Sequence, residues 1–414
     1  MKRLTASIFF LLWVGTLIYS WGAYFGRELD TSDPCAGKTE CEHAGRKISL
    51  AGAVVNFARD GVVSLRATSL EPSVRTVSTP GMASSIVFEL RNIDTEKTFF
   101  SGNIPGVRPL KHGGVSFDAP AGTDISVAFK RTIDGSAKKF IVFGDTEWVD
   151  NPFTNARGSY FVFQHVIREI NRRRPLCVII AGDLTGSGRY TSYRRYVKLL
   201  DSIHVPVFPA IGNHDTEHDG RSLFRAAFGE WDTTIIFNGM DFILLDDARQ
   251  TVTNEQLNWL AGAIERGRGL NLFAFYHIPL VEPDPVNGPH DEGDVLRDRD
   301  AAAKAVDIMK KGGVKTTFSA HFEGYGSLTT GGINHYIAGG GGGGKDRSNP
   351  RGFYHIVEVD ASGTEPKVEV VRLSSLPTAT DLMPWVAFAI LALGLPAAIY
   401  LLLRSGSPSP KASS

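Results

Sequence analysis

Cysteine is scarce in this sequence, with 3 among 414 residues. No cysteine spacing of the kind found in structural zinc sites is present, so that type of metal site is excluded. An excess of charge of one sign is also lacking, because 44 acidic residues balance 44 basic residues. Nucleic-acid-binding proteins usually present a basic surface, so the balanced composition gives no indication of a nucleic acid partner. The length is sufficient for two domains and additional segments.

Uncharged apolar segments occur at both ends of the chain, at residues 4–25 and 382–403. About 20 apolar residues suffice to cross a bilayer. The sequence therefore predicts an N-terminal signal anchor or transmembrane helix within residues 1–26 and a C-terminal transmembrane helix at residues 382–403. A cytoplasmic tail would follow at residues 404–414. A cleaved signal peptide is the alternative for the first segment.

Basic residues lie on the outer side of both segments, at Lys2 and Arg3 and at Arg404 and Lys411. Positive residues favour the cytoplasmic side, so we expect both termini in the cytoplasm and the lipid bilayer as a partner. The region between them is then expected to be extracytoplasmic, either periplasmic or at the cell surface. The proximity of Cys35 and Cys41 predicts a disulfide in such an oxidising compartment. Cys177 begins an apolar run and is predicted to be a buried free thiol.

Residues 45–136 lack a helical pattern. Short runs with alternating or β-rich composition are separated by turn signals such as Asp60-Gly61, Pro80-Gly81 and Asp134-Gly135. This pattern is typical of short antiparallel strands. It predicts a small β-sandwich accessory domain.

Residues 138–373 alternate between helical and strand patterns. A helical face in residues 160–174 stops at Pro175, and Thr253 with Gln256 forms the signature of a capping box. In α/β sheets, ligands bind at the carboxyl ends of the strands. Five apolar runs each end in a residue that can bind a metal, namely Asp145, Asp183, Asn213, His277 and His321. We therefore predict a two-sheet α/β sandwich with a metal site at its edge.

The ordered sequence words around these residues carry a resemblance. They are GDTE at 144–147, GDLTGSG at 182–188, GNHD at 212–215, YHIPL at 276–280 and AHFE at 320–323. This set resembles the calcineurin-like metallophosphoesterase family, and within it the purple acid phosphatase-like branch, over roughly residues 138–373. The resemblance implies a two-metal hydrolase of phosphate esters.

Two of these words depart from the family pattern. Family members usually have Asp-x-His at the first word and Gly-His-x-His at the last. This chain has Glu147 in place of the histidine of the first word and Glu323 in place of the second histidine of the last word. Transferred position by position, the second-metal ligands are Asp183, Asn213, His277 and His321. The first-metal ligands are Asp145, Glu147, Asp183 and Glu323. We interpret the two changes as a retuned first site, because both substitutes can still bind a metal.

The ligand chemistry predicts the type of each metal ion. Carboxylate oxygens suit Mn²⁺, Mg²⁺ or Ca²⁺, which we expect at the first site, whereas imidazole suits zinc, iron or manganese at the second. His218, His290 and His335 lie near the motifs, and one of them is an alternative source of a missing imidazole.

The resemblance implies that a metal-bound hydroxide attacks the phosphate ester. His214, turned by Asp215, would protonate the leaving oxygen, and Asp246 would orient a strand end. The sequence thus favours a membrane-anchored metal-dependent phosphoesterase, with monoesters and diesters both open as substrates. The glycine run from Gly339 has the spacing of a phosphate-binding loop, but Asp346 stands in place of the required Ser or Thr. We interpret this run as a close backbone turn near the metal edge.

Two other classes of function remain open at this point. The altered first site motivates a catalytically weak sensor or binding module that keeps one metal. The two apolar ends and the β-rich region motivate a structural role in the cell envelope.

Overall fold

The first part of the chain folds into two β-sheets that share one core. The structure, a computed structural model, describes residues 29–111, 113–134, 138–148, 159–282, 294–343 and 354–373. The first sheet has the order β1-β2-β5-β10-β7, with strands Glu40–His43, Arg46–Ala51, Ser73–Ser78, Ile125–Arg131 and Thr98–Gly102. The second has the order β3-β4-β6-β9-β8, with strands Ala53–Arg59, Val62–Ala67, Ile86–Arg91, Val115–Ala119 and Arg108–Pro109.

Along these strands, every second side chain faces inward, and these side chains pack the two sheets against each other. Phe88 and Phe117 of the second sheet stack at 5.2 Å between ring centroids, and Phe129 of the first sheet lies 5.8 Å from Phe117. Burial of each such side chain contributes roughly 1.5–3 kcal/mol. Cys35 and Cys41, at the start of this region, form a disulfide with a Cα–Cα distance of 5.5 Å.

The second part of the chain contains two further sheets packed against each other. One has the order β13-β12-β11-β20-β21, with strands Val207–Ala210, Cys177–Ala181, Lys139–Phe143, Tyr354–Asp360 and Lys367–Leu373. The other has the order β14-β15-β16-β17-β19-β18, with strands Thr233–Phe237, Met240–Leu244, Asn271–Phe275, Thr316–Ser319, Ile333–Ala338 and Tyr325–Thr330. Phe140 joins the sheets, because its ring meets those of Phe242 and Phe273 edge-on at 5.0 Å each. The predicted two-sheet α/β sandwich is confirmed.

Helices cover the outer face of each sheet. Helices α1 (Ser159–Arg173), α2 (Tyr190–Leu200) and α3 (Gly220–Phe228) share a core with the first of these sheets, and α4 (Asn254–Arg266) and α5 (Arg299–Lys311) share one with the second. The predicted capping box is present at α4, where the Thr253 side chain accepts from the Gln256 backbone N–H. Each of the two sheets contains three neighbouring parallel strands, namely β11, β12 and β13 in one and β15, β16 and β17 in the other. Because they are parallel, the strands direct their carboxyl ends to a common edge.

The β-rich part is fixed to the α/β part by buried polar contacts. Arg66 of β4 donates to Asp201 at 2.6 Å, and both side chains are almost fully buried. The amide of Asn92 donates to the carbonyl of Val207 at 2.9 Å and accepts from its N–H at 2.8 Å. Asn92 thus satisfies the outer backbone groups of the edge strand β13.

One element of the predicted fold class needs correction, namely the flanking transmembrane helices. Within the ranges given above, no helix is both apolar and long enough to span a bilayer. The two predicted segments, residues 4–25 and 382–403, lie outside the described residues. The α/β fold stands without them.

Candidate metal centre

Five strand ends bring polar side chains together at the common edge. The Nε2 atom of His277, after β16, lies 3.2 Å from Oδ2 of Asp183, after β12. The same nitrogen lies 2.9 Å from Oδ1 of Asn213, after β13. The ring of His321, after β17, is centred 5.0 Å from that of His277. The sequence-predicted residues of the second metal set therefore converge in space.

Asp183 lies at the centre of two groups of possible metal ligands. One ligand atom each from Asp183, His277 and His321 lie within 4.8 Å of one another, and the same holds for Glu147, Asp183 and His214. The second group contains His214, which the sequence assigned to proton transfer rather than to the ligands.

The loops that carry the candidate ligands have an unusual backbone. Five of the seven sequence-predicted ligands have positive φ angles, namely Asp145 (56°), Glu147 (43°), Asp183 (51°), His321 (66°) and Glu323 (52°). Non-glycine residues rarely adopt this region, and each instance costs about 1–3 kcal/mol. Such strain clusters at functional sites, so its concentration here is independent support for a functional edge.

Asp145 ties the first and last loops of the site together. Its carboxylate accepts the backbone N–H of His321 at 3.0 Å and that of Glu323 at 3.2 Å. The side chain is fully buried, and burial raises the pKa of Asp145 well above its ordinary value. Asp145 thus holds the loop that carries His321 and Glu323 against the first loop.

Glu147 and Glu323 lie against each other. Burial raises the pKa of Glu147 to about 7, and the adjacent Glu323 and Asp183 carboxylates add to this rise. Burial acts in the same direction on Asp183, but the imidazoles of His277, His214 and His321 together outweigh it and lower the pKa of Asp183. Buried acidic groups this close repel one another unless protons or cations intervene.

The donor chemistry of the edge fits divalent cations. Carboxylate, amide and imidazole donors are the groups that hold manganese, iron, zinc and magnesium in proteins. The mutual repulsion of Glu147, Asp183 and Glu323 is what bound cations would neutralise. The residues present therefore fit a metal centre.

His277 is held by groups that orient its ring. Its Nδ1 lies 2.9 Å from the carbonyl oxygen of Ala181, so the N–H at Nδ1 donates there and Nε2 is directed toward Asp183. The carboxylate of Asp247 accepts the backbone N–H of His277 at 3.0 Å and that of Ile278 at 3.0 Å. The sequence assigned the orientation of a strand end to the neighbouring Asp246, whose carboxylate accepts the backbone N–H of Ala248 at 3.2 Å and pairs with Arg221 at 2.7 Å.

His214 and Asp215 do not form the pair expected from the sequence. Asp215 is buried, and its carboxylate accepts backbone N–H groups of Leu184, Thr185 and Gly212 at 2.9–3.0 Å. Nδ1 of His214 lies instead 3.0 Å from Oε1 of Glu217. Burial lowers the pKa of His214, but the Asp183 and Glu217 carboxylates outweigh it, so the pKa is raised.

The three alternative histidines have different locations. Nδ1 of His218 lies 2.9 Å from the carbonyl oxygen of Ser187, and Nδ1 of His335 lies 2.8 Å from the hydroxyl of Thr317. Neither belongs to the two ligand groups found in the described part of the chain. His290 lies outside the described residues.

The glycine run packs directly against the acidic loops. A Cβ atom on Gly339 would lie 2.3 Å from Oδ2 of Asp145, and one on Gly343 would lie 2.6 Å from Cγ of Glu147. Side chains are therefore excluded at both positions. For residues 339–343, the described part of the run, this close packing agrees with the interpretation as a close backbone turn near the metal edge.

Comparison with known proteins agrees with this geometry. Residues 138–322 match the family model described as calcineurin-like phosphoesterase. The resemblance drawn from the sequence motifs is confirmed for these residues. No curated protein matches the chain.

Solved structures of phosphatases are similar to this chain at low identity. A dimetal phosphatase from Danio rerio is 16% identical, with 58% of this chain and 97% of that chain covered and a TM-score of 0.45. A purple acid phosphatase from yellow lupin (Lupinus luteus) seeds is 13% identical, with 73% and 70% covered and a TM-score of 0.49.

Proposed function

We propose that this protein is a metal-dependent phosphoric ester hydrolase. The observation that carries the proposal is the position of Asp183, which belongs to both groups of possible ligands at the edge of a calcineurin-like phosphoesterase domain. A shared carboxylate between two ligand groups is the arrangement that two-metal hydrolysis requires.

Two sets of residues would hold the metals. Asp183, Asn213, His277 and His321 form the nitrogen-containing set, which suits zinc, iron or manganese. Asp145, Glu147, Asp183 and Glu323 form the oxygen-only set, which suits manganese, magnesium or calcium. When bound, two such cations lower the pKa of a shared water, orient the phosphoryl group and offset the charge on its oxygens.

The protein side chains have separate tasks in the reaction. Asp145 and Asp247 fix the loops so that the ligands face one another. His214 lies beside the acidic group and remains partly exposed, with 38% of its side chain accessible. It would give the proton at its ring nitrogen to the leaving oxygen as the phosphorus–oxygen bond breaks.

A metal-by-substrate activity matrix on the full chain tests this function. Chelated protein would be resupplied with manganese, magnesium, calcium, zinc or iron and assayed on phosphomonoesters, phosphodiesters and nucleotides, with Asp183→Asn and His214→Ala as controls. We expect at least one metal to restore ester cleavage in the wild type, and both variants to cleave at a strongly reduced rate. Tight binding of a single metal with no turnover on any ester would instead support the sensor or binding module.

We infer that the protein works in an oxidising compartment. The disulfide between Cys35 and Cys41 supports this, because such bonds persist mainly outside the reducing cytosol. Thiol quantification of the protein from its native cells under alkylating conditions tests it. One titratable thiol per denatured chain, from Cys177, is expected, whereas three would contradict the inference.

A further inference from the structure

Glu217 occupies the place beside His214 that the sequence assigned to Asp215. His214–Thr216 forms a single turn of 3₁₀ helix, and Glu217 follows it directly. In a 3₁₀ turn, side chains three residues apart lie above one another. The i,i+3 spacing therefore places the Glu217 carboxylate against the imidazole, with 3.0 Å between Oε1 and Nδ1.

Asp215 points in a different direction because it is one residue away. Its carboxylate is taken up by the backbone of the 182–188 loop and by Gly212. Adjacent residues of a 3₁₀ turn are separated by about 120° around the axis, since there are about 3.0 residues per turn. Asp215 thus fixes the loop, and Glu217 is available to contact the imidazole of His214.

The backbone of Glu217 is held in place by its surroundings. Its carbonyl oxygen accepts the N–H of Gly220 at 2.9 Å. A Cβ atom on Gly188 would lie 2.1 Å from the same oxygen, so only glycine allows this approach. The loop that carries Asp183 therefore also supports the residue that contacts His214.

We propose that Glu217 is the positioning residue of His214. Its carboxylate accepts the Nδ1–H and fixes the ring orientation, so that Nε2 faces the group formed with Glu147 and Asp183. In the reaction the ring acts in its doubly protonated form: the Nε2–H proton passes to the leaving oxygen, which also takes the electron pair of the broken phosphorus–oxygen bond, and the Nδ1–H stays hydrogen-bonded to Glu217. The proposal rests on the function proposed above.

Leaving-group dependence in the full-length enzyme tests this role. Glu217→Ala is compared with wild type on 4-nitrophenyl phosphate, whose leaving group needs little protonation, and on phenyl phosphate, whose leaving group needs more. We expect kcat on phenyl phosphate to fall about 10- to 100-fold, with a smaller fall on 4-nitrophenyl phosphate and an unchanged KM. Glu217→Asp should recover part of the loss. Equal losses on both substrates would overturn the proposal.

A double-mutant comparison separates positioning from general damage. In a His214→Ala background, Glu217→Ala should have no further effect, because the residue acts through the missing ring. Asp219→Ala is the matched control, since Asp219 is an exposed carboxylate of the same loop with no side-chain cap to α3. It should leave activity unchanged. Additive losses from Glu217→Ala and His214→Ala would contradict the proposal.

A readout without turnover separates this proposal from the proposed function. The tautomer of His214 can be followed by ¹⁵N NMR of histidine-labelled full-length protein, with the signal assigned by its absence in His214→Ala. Wild type should show the Nδ1–H tautomer or the doubly protonated ring, and Glu217→Ala should lose that preference. An unchanged signal would refute the positioning role. Absence of all esterase activity with a changed signal would refute only the hydrolase function.

Discussion

The side chains that surround buried acidic residues differ between two regions of this molecule. In and beside the β-rich part, each buried carboxylate faces a guanidinium, as in Arg131 with Asp94 at 3.3 Å and Arg66 with Asp201 at 2.6 Å. At the metal edge, Glu147 lies against Glu323 and Asp183 instead. The first arrangement is neutral by itself, whereas the second becomes neutral by binding cations or protons. The difference identifies the edge as a site for a ligand and the ion pairs as structural.

Removal of Asp183 should give the largest effect on function. Asp183→Asn takes away the carboxylate common to both ligand groups, so we expect kcat/KM to fall roughly 10³-fold and bound metal to decrease. The metal-free fold should be retained, because one of several repelling acidic groups is lost. Steady-state kinetics and metal analysis measure these effects. Full activity of Asp183→Asn with normal metal content would contradict the interpretation of the metal edge as a ligand site.

Removal of Asp201 should give the largest effect on stability. Asp201→Asn leaves the buried Arg66 guanidinium without a full charge partner, so we expect about 3–5 kcal/mol loss in the free energy of unfolding. Activity per folded molecule should persist. Asp118→Asn is the matched control, because its pair with Arg108 is exposed and contributes little to stability. Urea unfolding that gives the same loss for both variants would refute the structural reading of the buried pair.

The disulfide should contribute less than the buried ion pair. Cys35 and Cys41 close a loop of 6 residues, for which the chain-entropy model gives about 2 kcal/mol. Replacement of both by serine should lower the free energy of unfolding by that amount without change in kcat. Cys177→Ser, which affects the buried free thiol, is the comparison. Thermal unfolding of the double variant at the wild-type temperature would show that the bond does not stabilise the fold.

Asp241 offers the smallest and most specific test, because it is a buried carboxyl whose oxygens have no hydrogen-bond partner among the described residues. Burial raises the pKa of Asp241 to about 6, partly opposed by Arg266. The folded state therefore holds its proton more tightly than the unfolded state, and stability falls as pH rises from about 4 to about 6. Asp241→Asn should reduce this slope and add about 1–2 kcal/mol at pH 7. Asp118→Asn, whose parent carboxyl has a lowered pKa because of Arg108, should not stabilise at pH 7. A steeper pH dependence in Asp241→Asn would contradict this assignment.

The strand ends were the part of the site that could be predicted from sequence. Hydrophobic runs fix where a strand stops, and parallel strands direct their carboxyl ends to one edge. The convergence of Asp183, Asn213 and His277 follows from those two facts. The capping box at Thr253 was equally predictable because it depends on residues three positions apart.

The sequence did not allow us to predict the direction in which adjacent side chains point. Asp246 and Asp247 are adjacent, as are Asp215 and the residues of its turn, and only the local backbone decides which one faces the site. Because a 3₁₀ turn follows Asn213, the side chain that contacts His214 is Glu217 rather than Asp215. The i,i+3 spacing of His214 and Glu217 was the sequence signal that could have predicted this contact. The sequence likewise did not indicate the left-handed conformations of Asp145 and Asp183.

Anomalous diffraction from crystals of the full chain grown with Mn²⁺ tests the central claim most directly. The account predicts two manganese peaks, one on each side of the Asp183 carboxylate. One peak would be bounded by Asn213, His277 and His321, and the other would be bounded by Glu147. No peak at Asp183, or ions bound only at other acidic residues, would contradict it.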